Sequence, residues 1–196
     1  MWAVLIAGLA VVFLLAVRSY FLTAAPELDR IGAVPPFAFV AQDGDTFGSA
    51  DLRGTVWMAG FMFTRCGGIC PALTAAMESV QDRLEGKEGW ALVSFSVDPV
   101  HDTSEVLREY GQAHGADLTR WRFLTGDKAA IRDLCTKGFY LAVEDAPESS
   151  IEPVLHSQRI VLVDGEGIIR GYYDSTVPAD VDALVADVNR LLGEAS

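Results

Sequence analysis

From Phe37 onward, short apolar runs alternate with stretches in which apolar residues recur every three or four positions. Val56 to Phe63 is apolar without a break and reads as a strand buried on both faces. Trp90 to Val97 is a second such run, rich in β-branched and aromatic residues, and Asp98-Pro99 stops it. Trp121 to Leu124 is a shorter third strand. Helical stretches separate them. Pro71, a residue suited to a first turn, opens a helix to about Leu84. Thr103 caps one that runs to about Ala113, and Asp127 caps one that carries Cys135. Upstream, Phe37 to Val40, a turn at Asp43-Gly44-Asp45 and Thr46-Phe47 predict a small hairpin. Downstream, Phe139 to Val143 reads as extended and Glu144 to Pro153 as a polar loop. Arg159 to Val163, the turn Asp164-Gly165-Glu166-Gly167 and Ile168 to Tyr173 predict a second hairpin. Pro178 starts a last helix with an apolar stripe of Val181, Leu184, Val185, Val188 and Leu191. The order βαβαβα, then hairpin and helix, predicts an α/β fold with helices on both faces of a mixed sheet.

The N-terminus has a different pattern. Trp2 to Val17 is uncharged and almost wholly apolar, and after Arg18 the apolar character resumes through Leu22. A span needs about 20 residues, which counting on to Leu22 supplies if Arg18 reaches the interface. We read residues 1–25 as a membrane anchor; a cleaved signal peptide is the rival, with Thr23-Ala24-Ala25 resembling a cleavage site. Residues 26–36 read as a linker, and 37–196 as one folded domain.

Charge narrows the function. With 27 acidic against 15 basic residues, the formal net charge is −12, and a nucleic-acid binder would need a basic surface. Of the three cysteines, Cys66 and Cys70 lie where the first buried strand gives way to a helix. Such a junction places thiols at the positive end of the helix, where thiolate is favoured, and Cys70, just before Pro71, is expected nearer that end. Thiolates attack disulfides and bind soft metals. Cys135 shares a helical face with Ile131, Leu134 and Gly138 and reads as a small buried hydrophobe.

Two sulfurs invite a third donor, and the chain has three histidines. His114 reads as a helix C-terminal cation. His101, in the loop after the second strand, should come near the cysteines, because both loops leave the same sheet edge. His156, between the polar loop and a strong strand, ranks only slightly above it. Two thiolates and one imidazole make a soft set suited to Cu(I), whereas Zn(II) would ask for a fourth ligand. Without metal, the same pair can close a disulfide.

Four stretches carry a family resemblance: Phe-Thr-Arg-Cys66-Gly-Gly-Ile-Cys70-Pro; Val-Ser-Phe-Ser-Val-Asp98-Pro-Val-His-Asp-Thr103-Ser-Glu-Val-Leu-Arg-Glu-Tyr110; Trp121-Arg-Phe-Leu-Thr-Gly126; and Val-Leu-His156-Ser-Gln-Arg-Ile-Val-Leu-Val-Asp164-Gly-Glu-Gly167. The chain resembles the Sco/SenC family of membrane-anchored, thioredoxin-fold copper proteins that serve assembly of the copper centre of cytochrome c oxidase. The resemblance implies copper ligands at Cys66, Cys70 and His156, which promotes His156 over His101. It also makes Asp98 a supporting residue behind the ligands, where the plain alternative is a turn residue at a helix entry. Family members commonly carry Pro-Asp after the first cysteine; this chain has Gly67-Gly68. Losing that carboxylate and gaining Arg65 should favour ionised sulfurs.

The resemblance therefore implies a copper chaperone rather than an enzyme, its domain outside the cytoplasmic membrane. It would bind Cu(I), with Cu(II) left open, take copper from a periplasmic donor and serve the copper-bearing oxidase subunit. The alternative is a thiol–disulfide reductase working through Cys66 and Cys70, or a redox sensor.

Overall fold

The computed structural model describes Phe13 and residues 27–141, 144–145, 154–155 and 158–194. The predicted anchor therefore lies, Phe13 apart, outside the described residues. Among the described residues, no helix is long and apolar enough to cross a membrane.

The centre of the sheet is three parallel strands, β4 (Val56–Met62), β5 (Trp90–Ser96) and β6 (Trp121–Thr125). Every residue of β4 is buried, as its unbroken apolar run requires. Helix α1 (Cys70–Arg83) joins β4 to β5, and α2 (Ser104–Ala113) joins β5 to β6. The hairpin β2 (Ala38–Ala41) and β3 (Thr46–Gly48) extends the sheet beyond β6 in antiparallel sense. On the other side β9 (Arg159–Val163) pairs antiparallel with β4, and β10 (Ile168–Asp174) with β9. The last helix, α4 (Pro178–Glu194), packs against α1 and β10.

The two faces differ in chemistry because side chains alternate across a strand. On one face Phe61 stacks on Phe95 at 4.9 Å between ring centroids, and Phe139 meets Phe61 edge-on at 5.3 Å. Phe37 and Phe39 complete this aromatic layer. On the other face Gly60 lets α1 come close: a Cβ there would stand 2.9 Å from the Met77 sulfur. Helix α1 thus covers one face, and the aromatic layer lies on the other. Thr103 caps α2 by accepting from the Val106 N–H, and Asp127 caps α3 (Lys128–Asp133) by accepting from the Ala130 N–H.

Four places depart from the expected pattern. Residues 26–36 read as linker, yet Gly32–Ala33 forms an edge strand, β1, antiparallel to β10. Cys135 sits two residues beyond α3, in a π-helical turn (Leu134–Gly138). Phe139 to Leu141 is not a strand: Phe139 closes the π turn, and Tyr140 has φ 53°, in the left-handed region that breaks extended pairing. Residues 142–143 lie outside the described set. At the start of the expected polar loop, Glu144–Asp145 (β7) pairs antiparallel with Val154–Leu155 (β8), which follows that loop.

Candidate functional site

The parallel strands β4 and β5 end side by side, and the loops that leave them build the site. Their last rung is closed by the Val97 N–H, which donates to the Met62 carbonyl at 2.9 Å. Thr64, Arg65 and Cys66 follow β4, and Asp98 to Asp102 follow β5.

Both sulfurs are at this end of the sheet. Cys66 is 7% exposed and Cys70 1%. Neither is bridged. Cys70 is the first residue of α1, whose N-cap, Ile69, offers no side-chain acceptor, and Pro71 follows it. The acceptor comes from further back in the chain. Cys66 Sγ receives the Cys70 backbone N–H at 3.4 Å, so the helix N-terminus directs a hydrogen bond at Cys66. Sequence position alone puts Cys70 nearer the helix end; the turn through Gly67-Gly68-Ile69 brings Cys66 back over it. That turn needs no glycine conformation, because neither Gly67 nor Gly68 is among the described glycines with positive φ. A Cβ on Gly67 would meet nothing within 4 Å.

Two contacts tie the cysteine loop to the β5 loop. On the outside, Arg65 Nη2 donates to Asp98 Oδ2 at 2.6 Å. The charge that Arg65 brings beside the sulfurs is thus shared with a carboxylate, a pairing across 33 positions that no local pattern announces. Asp98 thus stands on the loop beside the cysteine turn, with its Oδ2 engaged by arginine. On the inside stands Asp102, 0% exposed. It accepts from the Thr64 N–H at 3.0 Å, from Thr64 Oγ1 at 2.5 Å and from Ser96 Oγ at 2.6 Å. Ser96 Oγ in turn accepts from the Asp98 N–H at 3.1 Å. Sequence reasoning passed over Asp102, Ser96 and Thr64. The available signal was Ser94 and Ser96, two polar residues at period two within an apolar strand.

Tyr110 on α2 reaches towards Cys70. Its hydroxyl is 2.7 Å from Thr74 Oγ1, and Thr74 is one helical turn beyond Cys70. Burial pushes the Tyr110 phenol above its ordinary pKa; the Thr74 hydrogen bond opposes this, and negative charge at Cys70, Cys66 and Asp102 adds to it.

The other candidates separate. His101 is exposed on the β5 loop, and that loop does come beside the cysteines, through Asp98 and Asp102 rather than through the imidazole. His114 is the C-cap residue of α2, and its ring lies 4.4 Å from that of Tyr110. Cys135 is fully buried, and burial pushes its thiol up to about 12. His156, between Leu155 and Arg159, lies outside the described residues. Among the described residues, no group of three or more His, Cys, Asp or Glu could hold a metal ion. Two adjacent sulfurs nonetheless fit a soft metal, with the remaining donor to come from elsewhere.

Fold and site define the class first: a thioredoxin-like α/β protein with paired thiols where a central strand passes into a helix. Comparison with known proteins supplies the family. The SCO1/SenC family model matches residues 17–193. A SCO1/SenC family lipoprotein from Bacillus anthracis superposes with TM-score 0.75 at 35% identity, over 81% of this chain and 94% of that one. BsSco, a Sco-family cytochrome c oxidase assembly protein in which a disulfide switch was identified, superposes with TM-score 0.74 at 31% identity, over 85% and 98%. The copper-bound ScoI of Bradyrhizobium japonicum shares the fold, with TM-score 0.69 at 22% identity over 82% and 99%. This chain belongs to the SCO1/SenC family.

Proposed function

We propose that this chain is a membrane-anchored copper carrier that serves assembly of the cytochrome c oxidase copper centre. The observation that carries the reading is the pair of unbridged thiols, Cys66 and Cys70, joined by the Cys70 N–H to Cys66 Sγ hydrogen bond at the exit of β4. Two adjacent soft sulfurs favour Cu(I), and His156 supplies the third donor of a trigonal site. The apolar run from Trp2 to Leu22 holds the domain at the outer face of the membrane, and the lipoprotein nature of the Bacillus anthracis relative supports attachment there. The cargo arrives from a periplasmic copper donor and leaves by ligand exchange to the copper-bearing oxidase subunit. The function of BsSco in oxidase assembly, and copper in the Bradyrhizobium japonicum protein, support this cargo and this recipient.

A second reading has its own observation. The disulfide switch of BsSco favours redox chemistry at the same two sulfurs. One thiolate attacks a target disulfide, and the second then displaces the reduced target as the internal disulfide forms. Oxidation of the pair also withdraws both thiolates from metal.

His156→Ala in the full chain, purified in detergent with its thiols reduced, separates the two. Cu(I) affinity, measured against a chromophoric chelator, is expected to fall at least tenfold while thiol–disulfide exchange largely persists. Cys66→Ala or Cys70→Ala should abolish both. Unchanged copper affinity in His156→Ala would remove the three-donor site.

A further inference from the structure

We infer that Asp102 is the positioning residue of the thiol pair. This rests on the reading of Cys66 and Cys70 as the working site, and assigns the geometry of that site to a carboxylate on the neighbouring loop after β5. A fully buried carboxylate is expensive unless paired or fully hydrogen-bonded. No salt bridge pairs Asp102 with a cation among the described residues, so the hydrogen bonds must hold it. Three donors surround it, and their placement is informative. Oδ2 receives the Thr64 N–H and the Ser96 hydroxyl, and Oδ1 receives the Thr64 hydroxyl. Two of these come from the residue two places before Cys66, and the third from the last residue of β5. Asp102 therefore joins the start of the cysteine turn to the rigid sheet. The orientation it fixes is the one that returns Cys66 Sγ to the Cys70 N–H.

This arrangement discriminates geometry from charge. Asparagine can keep all three contacts: its carbonyl oxygen takes the Oδ2 place, and its amide donates to Thr64 Oγ1, which can accept. Alanine keeps none, and leaves the Thr64 N–H without its acceptor. Thr64→Val removes one contact at almost unchanged shape, and Thr64→Ser retains it. A positioning residue predicts that Asp102→Asn and Thr64→Ser behave like the parent, while Asp102→Ala and Thr64→Val do not.

Two readouts on the reduced full chain in detergent test this. The first is Cu(I) affinity against a chromophoric chelator, expected to fall about tenfold in Thr64→Val and up to about a hundredfold in Asp102→Ala. The second needs no metal: the alkylation rate of Cys66 relative to Cys70, read by mass spectrometry, should rise severalfold in the same two variants. Thr64→Val keeps the test decisive if Asp102→Ala does not fold. If Asp102→Asn were as impaired as Asp102→Ala, charge rather than placement would be at work, and the inference would fall. Parental behaviour of Thr64→Val in both readouts would also overturn it. A parent chain that takes up no Cu(I) would sink the copper reading alone, because the alkylation ratio still decides the role of Asp102.

Discussion

Three thiols occupy this small domain, and their surroundings give them different work. Cys66 accepts a helix N–H at the rim of the sheet, whereas Cys135 lies in the π-helical turn with 0% exposure. Desolvation moves the Cys135 thiol from 9.0 up to about 12. The folded chain therefore holds this proton more tightly than the unfolded chain does. Its contribution to stability is complete below pH 9 and is lost as pH rises toward 12. Cys135→Ala removes that dependence. Urea unfolding at about pH 8 and about pH 10.5 should show the parent losing about 2 kcal/mol more than the variant over that interval. Tyr173 also has a raised pKa, from burial and its hydrogen bond to Asp187, but it is present in both chains and cancels in the difference. Equal losses would mean that the Cys135 site admits water. Copper uptake should be the same in both chains, because Cys135 is fully buried in the π-helical turn.

Elements with a strong local signature were legible in the sequence. The all-buried β4, the caps Thr103 and Asp127 and the β9–β10 hairpin each rest on residues within one short window. Distant contacts left no such trace. The strand β1 is two residues long and is set by bonds such as Ile31 N–H to the Ile169 carbonyl, which join positions far apart in the chain. The same holds for the site. Its sulfurs and their place at a strand end could be read, but the return of Cys66 over Cys70, and Asp102 beneath the turn, are products of folding. The glycines of that turn show the limit from the other side. Two consecutive glycines suggest a bend that only glycine could make, yet the backbone there is ordinary and space is open at Gly67. Gly67→Ala should therefore stabilise the chain by about 0.4–1 kcal/mol, mainly by restricting the unfolded state. A thermal scan should show a rise of about 1–4 °C. A fall instead would show that the turn depends on a side-chain-free position.

At the scale of the whole molecule, the parallel strands place the thiols at one end of the sheet, and a buried ion pair secures the chain that leads to the N-terminus. Arg170, 7% exposed, donates to Asp164 Oδ2 at 2.9 Å. Its other nitrogens donate to the Leu28 and Asp29 carbonyls at 2.8 and 3.0 Å. One side chain thus holds both the β9–β10 turn and the segment that enters β1. The segment also has an exposed pair, Arg30 with Glu166 at 2.7 Å, with Arg30 52% exposed. Salt should screen that pair and leave the inner one largely intact. Removing the inner cation leaves the buried Asp164 carboxylate with two backbone N–H donors and only the longer Arg30 contact at 3.9 Å, and it frees two carbonyls. Arg170→Met is accordingly expected to cost about 3 kcal/mol. The loss should persist in molar salt, and hydrogen exchange at Ile31 and Val34 should accelerate before that of β4. Protection at Ile31 and Val34 equal to the parent's would mean that backbone pairing alone, through the carbonyls of Ile169 in β10 and of Gly167 just before it, holds this segment on the sheet.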